Sequence, residues 1–178
     1  MLDDEALEAL YRRKLEVWGR AVVDQRQSLF STLQALGRQA GEMPGGAIAM
    51  DSWEADRWFT SAHLLLISIR NVLLFSDLLV KLEPRDEVAQ QVRDFDHLVV
   101  NARDFRNFLE HFDDYARGEG KRQHTLPTPE DLGGMKLGDH VLSLTYTFGG
   151  LDLNLETACT GAILMAQTIL KTQFLRPE

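Results

Sequence analysis

The chain contains a single cysteine, Cys159, and only five prolines among its 178 residues. One cysteine cannot form an intrachain disulfide, and such bonds are typical of proteins that work in oxidising compartments. We therefore expect a reducing, cytoplasmic location. The N-terminus is acidic and lacks the basic and then apolar order of a secretory leader, so no targeting segment is expected there.

Basic charge is also scarce. The chain has 27 acidic and 19 basic side chains, which gives a formal net charge of −8. This balance favours solubility and argues against a broad basic surface for nucleic acid. A small, locally basic site is still compatible with it.

The sequence has no long apolar run free of charge. Its most apolar region, 64–80, is interrupted by Arg70, Asn71 and Asp77. Charged side chains are costly at the centre of a membrane span. The region therefore predicts a buried helix of a soluble protein, with no membrane association.

Apolar residues at three- and four-residue spacings predict long helices. Loops rich in glycine and proline separate them. The expected helices cover about 3–36, 51–82, 85–116 and 156–174. The third of these helices has a regular apolar stripe, which is expected to face the core and consists of Phe95, Leu98, Ala102, Phe105, Leu109 and Phe112.

A β-hairpin is expected between the third and fourth helices. Leucine and aromatic residues alternate with serine and threonine over 142–148, and Gly149-Gly150 supplies a two-residue turn. The hairpin should cover about 140–155, after a polar loop over 118–139. The predicted fold is mainly α: one domain, 1–178, formed by a bundle of about four long helices with one inserted β-hairpin.

The third helix carries the hexapeptide Arg106-Asn107-Phe108-Leu109-Glu110-His111. Arginine presents a planar fork of donors that suits phosphate. Histidine titrates near neutrality and can take a proton from a ribose 2′-hydroxyl or give one to a leaving oxygen. Asn107 lies one turn from His111 and can orient its ring. RNA supplies its own nucleophile, so this chemistry needs no metal or other cofactor.

The spacing of the hexapeptide predicts a composite site. A helix advances about 100° per residue, which separates Arg106 and His111 by about 140° around the axis. Two copies of this face, related by a two-fold axis, can bring the arginine and histidine together. We therefore expect a homodimer whose interface includes part of the third helix.

The Arg-x4-His spacing, with asparagine directly after the arginine on a long helix of a helical chain, resembles the signature of the HEPN superfamily. The resemblance covers the three long helices and the last helix, and it is specific only at Arg106, Asn107 and His111. It implies a helical bundle, commonly dimeric, with metal-independent RNA cleavage in its active members. Arg106 and His111 would be the catalytic pair and Asn107 their polar companion.

Three further basic residues are candidates for phosphate binding. Arg103 lies on the same outer face as the hexapeptide. Lys121 and Arg122 form a compact basic cluster with His124 in the following loop. This cluster is either an ordinary solvated loop or a mobile phosphate clamp beside His111.

Arg70 is the remaining candidate for a binding residue. It belongs to a polar line on the second helix, with Asp56, His63 and Asp77 at seven-residue intervals. The line is either the solvated edge of a buried helix or a polar strip that faces Arg106 or His111 and completes a pocket.

Two functions follow from these patterns. The first is an endoribonuclease or RNA-directed toxin of HEPN type that acts as a homodimer, with an antitoxin-like protein as a further partner. The second is a non-catalytic helical bundle that binds a protein partner or a small ligand. In the second case the polar face of the third helix is merely hydrated.

Overall fold

The protein is a helical bundle with a small antiparallel sheet. The computed structural model describes residues 3–42, 52–82, 84–104, 134–137, 144–148 and 151–172. The helices in these ranges are α1 (Asp4–Glu42), α2 (Ser52–Leu82), α3 (Asp86–Leu98) and α4 (Leu155–Lys171), and residues 102–104 are also helical. The strands are β1 (Gly134–Leu137), β2 (Leu144–Phe148) and β3 (Leu151–Asn154). The prediction of a mainly helical protein is confirmed.

Helix α1 is longer than the sequence predicted. We expected it to end near residue 36, before Gly37 and Gly41, but it continues to Glu42. A glycine inside a helix costs about 1 kcal/mol relative to alanine, yet it does not forbid the helical conformation. Two isolated glycines were therefore too weak a signal to end the helix.

Helix α2 contains a long apolar segment. Its segment Thr60–Leu82, with a mean hydropathy of 1.7, is the one stretch within the described residues that is long and apolar enough to cross a membrane. The central helix of a soluble bundle has the same composition, and half of this segment is buried inside the protein. The expected bounds of 51–82 agree with the observed Ser52–Leu82.

The third helix is interrupted, and its prediction as one helix over 85–116 was wrong. Helix α3 ends at Leu98, residues 99–101 form a turn, and helical structure returns at 102–104. Valine and asparagine are poor helix formers, and Val99-Val100-Asn101 places three of them in succession. The rest of the predicted helix, 105–116, lies outside the described residues.

The turn also shifts the apolar stripe of this segment. Phe95 and Ala102 are buried, as predicted, but Leu98 is 44% exposed and Val99 is buried in its place. The turn at residues 99–101 interrupts the helical spacing from which the stripe over 95–112 was predicted.

The sheet has three strands in the order β1-β2-β3, and both pairs are antiparallel. In the β2–β3 pair, Thr145 lies opposite Asn154 and Phe148 opposite Leu151. Strand β1 was not expected, because 134–137 falls in the segment predicted as a loop. Asn154 ends β3 and also caps α4, since its Oδ1 accepts a hydrogen bond from the Thr157 amide at 2.9 Å.

The core lies between α2 and α4. Helix α1 contacts both of them on one side, and α3 contacts both on the other. Two glycines allow this close packing. A Cβ at Gly161 would lie 2.8 Å from Leu98 Cδ2, and one at Gly19 would lie 3.1 Å from Ala166 Cβ. The sheet joins the same core through Leu153, which is buried.

Arg12 holds the end of α4 against α1, and its replacement should be costly. Its guanidinium pairs with Glu8 at 2.6 Å and donates to the Leu170 carbonyl at 3.1 Å and to the Thr172 carbonyl. These carbonyls end a helix, where a cation is favourable. Arg12→Met is therefore expected to lower the free energy of unfolding by about 1–2 kcal/mol, as measured by urea denaturation.

The adjacent arginine provides the control for this experiment. Arg13 is largely exposed, and its one ion pair, with Glu16, has a distance of 3.9 Å. Arg13→Met removes the same charge, but it should change the stability by no more than about 0.5 kcal/mol. Equal effects of the two substitutions would show that loss of charge, rather than loss of the contacts to α4, determines the result.

Candidate functional site

The predicted catalytic residues fall in a part of the chain that the structure does not describe. Arg106, Asn107 and His111 lie outside the described residues, as do Lys121 and Arg122. Arg70 and Arg103 are described, together with the turn that leads into the hexapeptide. The structure therefore describes residues next to the predicted catalytic residues, and not those residues themselves.

Two contacts hold the residues that precede the hexapeptide in the sequence. Ala102 is fully buried and fixes the start of the second helical stretch in the core. Asn101, just before it, donates from Nδ2 to the Asp152 carbonyl of β3 at 2.7 Å. Because the turn is tied both to the core and to the sheet, the chain enters the hexapeptide segment from a defined position.

Arg103 follows this anchored turn and is exposed. An exposed guanidinium can form bidentate contacts with a phosphate, and this one is close in sequence to the predicted catalytic pair. This position agrees with the predicted role of Arg103 in binding, although it does not test that role.

Arg70 pairs with a residue of the neighbouring helix. Its Nη1 lies 3.5 Å from Asp96 Oδ1 of α3, while Asp77, on the same polar line of α2, pairs instead with Lys81 at 2.6 Å. The Arg70–Asp96 distance is long for a hydrogen bond, and the Asp96 side chain is mostly exposed. The structure therefore places Arg70 beside α3, where its side chain is partly buried.

An ion pair with two contacts joins α1 to α4. Arg26 forms two contacts with Glu156, at 3.0 Å from Nε and 2.5 Å from Nη2, and it stacks 5.1 Å from the centre of the Phe30 ring. The hydrogen bond to Glu156 raises the pKa of Arg26, while burial acts in the opposite direction. Sequence analysis missed this contact, because nothing in the local pattern links residues 130 positions apart.

Cys159 lies beside this ion pair and is chemically inert. Burial raises the pKa of its thiol to about 12, the negative charge of Glu156 adds to the increase, and Arg26 opposes it. The thiol stays protonated at neutral pH, and only a thiolate acts as a nucleophile. Cys159 is fully buried and packs as a small core residue.

An open groove of about 220 Å³ runs between α1 and α4. Its walls are mostly apolar and include Val23, Ile163 and Leu170. Its charged members, Glu16 and Arg20, pair with each other at 2.6 Å. The groove therefore offers a mostly apolar surface for binding.

No cluster of three His, Cys, Asp or Glu side chains that could hold a metal ion occurs within the described ranges. No family model, curated protein or solved structure matches the chain. The HEPN resemblance therefore depends on the hexapeptide and on the helical architecture.

Proposed function

We propose that this chain is a cytoplasmic, HEPN-like endoribonuclease or RNA-directed toxin that acts as a homodimer without a metal or other cofactor. The observation that carries the proposal is the hexapeptide Arg106–His111 in a protein whose described part is a helical bundle. In this proposal about four long helices form the bundle that the HEPN resemblance implies. The β2–β3 hairpin is an insertion before α4. Arg106 and His111 are the catalytic pair, and Asn107 is their polar companion.

The chemistry requires only the side chains and the RNA. His111 accepts the proton of a ribose 2′-hydroxyl, and the 2′-oxygen attacks the adjacent phosphorus. The bond to the 5′-oxygen breaks, and that oxygen leaves with a proton supplied by a second acid or by water. Arg106 stabilises the charge on the phosphoryl oxygens. The products are a 2′,3′-cyclic phosphate and a free 5′-hydroxyl.

Basic residues around the pair would hold the RNA backbone. The exposed position of Arg103 supports this part of the proposal, and Arg70 is a further candidate for it. Lys121 and Arg122 would add a further contact in the loop after the hexapeptide. Since the whole chain carries a net charge of −8, binding should depend on these few local contacts rather than on a broad surface.

The experiment that tests the proposal is an incubation of the purified protein with mixed RNA in the presence of EDTA. Cleavage should persist without divalent metal and should leave cyclic phosphate ends. A preparation of the His111→Ala variant, purified in parallel, controls for contaminating nucleases. Equal cleavage by both preparations, or no cleavage by either, would count against the catalytic proposal.

The second function is a non-catalytic helical bundle that binds a protein partner or a small ligand. One observation favours it: the outward side of α2 exposes large apolar side chains, including Leu64 and Leu74. A protein partner of antitoxin type would also require such a surface. Absence of RNA cleavage together with stable complex formation through this surface would favour the second function.

A further inference from the structure

Asn101 connects two parts of the protein that lie far apart in the sequence. It is the last residue of the turn at 99–101, and its Nδ2 donates to the Asp152 carbonyl of β3 at 2.7 Å. This distance is at the short end of the usual range for an N–H···O hydrogen bond. The bond therefore holds the end of the turn against the sheet, directly before the helical stretch 102–104.

Strand β3 is itself firmly held. Leu153 of the strand is buried, and Leu155, the first residue of α4, is fully buried. Between them, Asn154 caps α4 through its hydrogen bond to the Thr157 amide. On its inner side the strand pairs with β2. The Asp152 carbonyl thus belongs to a backbone segment that is fixed both to the core and to the sheet.

The hydrogen bond adds a direction that burial alone does not supply. Val99 and Ala102 are fully buried, and the Ala102 amide donates to the Val99 carbonyl at 2.8 Å. Apolar burial is non-directional, so it keeps the turn in the core but discriminates weakly between orientations. A hydrogen bond requires a particular angle as well as a distance. Asn101 therefore orients the stretch 102–104 relative to β3.

This orientation affects the hexapeptide through the continuity of the chain. Arg106 follows Asn101 by five residues and His111 follows it by ten. An extended chain spans at most about 3.6 Å per residue, so Arg106 lies within roughly 18 Å of Asn101 in any conformation. Catalytic groups need to be placed within about 0.5 Å and 10–20° of their productive geometry. A rotation of the chain at Asn101 is large on this scale.

We infer that Asn101 is a positioning residue for the proposed ribonuclease, and that the β2–β3 hairpin is the support to which it attaches the segment carrying Arg106 and His111. The inference rests on the proposed function. It gives the hairpin a role in the site, because its outer strand supplies the acceptor for Asn101.

The chemistry of the bond determines which substitutions test it. The acceptor is a backbone carbonyl, so a change of the Asp152 side chain leaves it in place. Asn101→Ala removes the donor, and Asn101→Asp removes it while keeping the size of the side chain, since an ionised carboxylate only accepts. Val100, the preceding residue of the same turn, is 62% exposed, and Val100→Ala is the matched control.

The first test measures the attachment by hydrogen exchange of the full chain, and it does not depend on activity. In Asn101→Ala and Asn101→Asp, the peptide containing Ala102 should exchange roughly two- to tenfold faster than in the wild type, the range expected for loss of one hydrogen bond. Val100→Ala should stay within about twofold of the wild type. Exchange in α4 should be unchanged in all variants, which shows that the fold is intact.

The second test measures positioning by RNA cleavage in EDTA, with the protein in excess over a labelled RNA. The maximal single-turnover rate does not depend on the fraction of folded protein under these conditions. Asn101→Ala and Asn101→Asp should lower this rate by about 10- to 100-fold, because small displacements of catalytic groups are costly. The protein concentration that gives half the maximal rate should not change. Val100→Ala should cleave at the wild-type rate.

The outcomes separate this inference from the proposed function. A wild type that cleaves RNA, with Asn101→Ala equal to it in rate, would overturn the inference alone. Faster exchange without a slower cleavage step would also overturn it, as would a loss confined to RNA binding. A wild type that cleaves no RNA would overturn the proposed function, and the positioning role of Asn101 with it.

Discussion

His111→Ala is expected to reduce RNA cleavage by about 10²-fold or more, the usual scale for loss of general acid–base catalysis. The imidazole moves the proton of the 2′-hydroxyl, and alanine has no group that can replace it. The measurement is the single-turnover rate of cleavage of a labelled RNA in EDTA. Binding of the RNA should change little, because the substitution removes a proton acceptor rather than a backbone contact.

Substitutions of the neighbouring residues distinguish the roles within the hexapeptide. Arg106→Ala should reduce the rate by a similar factor, since stabilisation of transition-state charge is typically worth a few kcal/mol. Asn107→Ala should have a smaller effect if the amide only orients the pair. The double variant Lys121→Ala, Arg122→Ala should weaken RNA binding and reduce its salt dependence, with the chemical step unchanged.

One result would contradict this assignment directly. If Arg106→Ala and His111→Ala retain the full cleavage rate, the activity belongs to another site or to a contaminant. The hexapeptide would then be an ordinary polar helix face, in which Arg106 and Glu110 form an i, i+4 ion pair worth a few tenths of a kcal/mol. The second function, a non-catalytic helical bundle that binds a protein partner or a small ligand, would then be favoured.

The elements that sequence analysis predicted best are those with strong local signals. Helix α2 lies within one residue of its expected bounds, because Pro44 and clustered glycines precede it in the sequence and Pro84 follows it closely. Proline and clustered glycines act on the backbone locally, so their effects do not depend on the rest of the fold. Isolated glycines act weakly, and for that reason the end of α1 was misplaced.

The interruption after α3 could not be predicted from periodicity. Apolar residues continue at helical spacing through 95–112, so the pattern is that of one helix. The turn at 99–101 is stabilised by distant contacts, including burial of Val99 and the hydrogen bond from Asn101 to β3. Tertiary contacts of this kind override local propensity, and a single sequence does not reveal them.

The same limit applies to the candidate site. The hexapeptide is recognisable in sequence because its residue types and spacing carry the chemistry. The Arg70–Asp96 pair could not be recognised in the sequence, because Asp96 lies on another helix. The Arg26–Glu156 pair could not be recognised either, because it joins α1 to α4. The exposure of Leu64 and Leu74 on α2 was not predicted either, since the apolar composition of this region indicated a buried helix.

The largest expected effect on stability comes from the core side of α2. Leu66 is fully buried there, on a helix that packs against α1, α3 and α4. Leu66→Ala removes apolar contacts and leaves a cavity in a close-packed interior, which typically costs about 2–5 kcal/mol. For a chain of this length, the Tm should fall by roughly 5–15 °C.

A second leucine-to-alanine substitution provides the control. Leu164 lies in the middle of α4 and is 58% exposed, so Leu164→Ala removes the same atoms with a similar helix propensity but creates no enclosed cavity. Its cost should stay below about 1 kcal/mol. Both variants are compared with the wild type by thermal and urea unfolding at one protein concentration, because the stability of a dimer depends on concentration. Similar losses of stability for the two variants would mean that Leu66 is not part of a close-packed core. The distinction between a buried face and an exposed face of α2 would then be wrong.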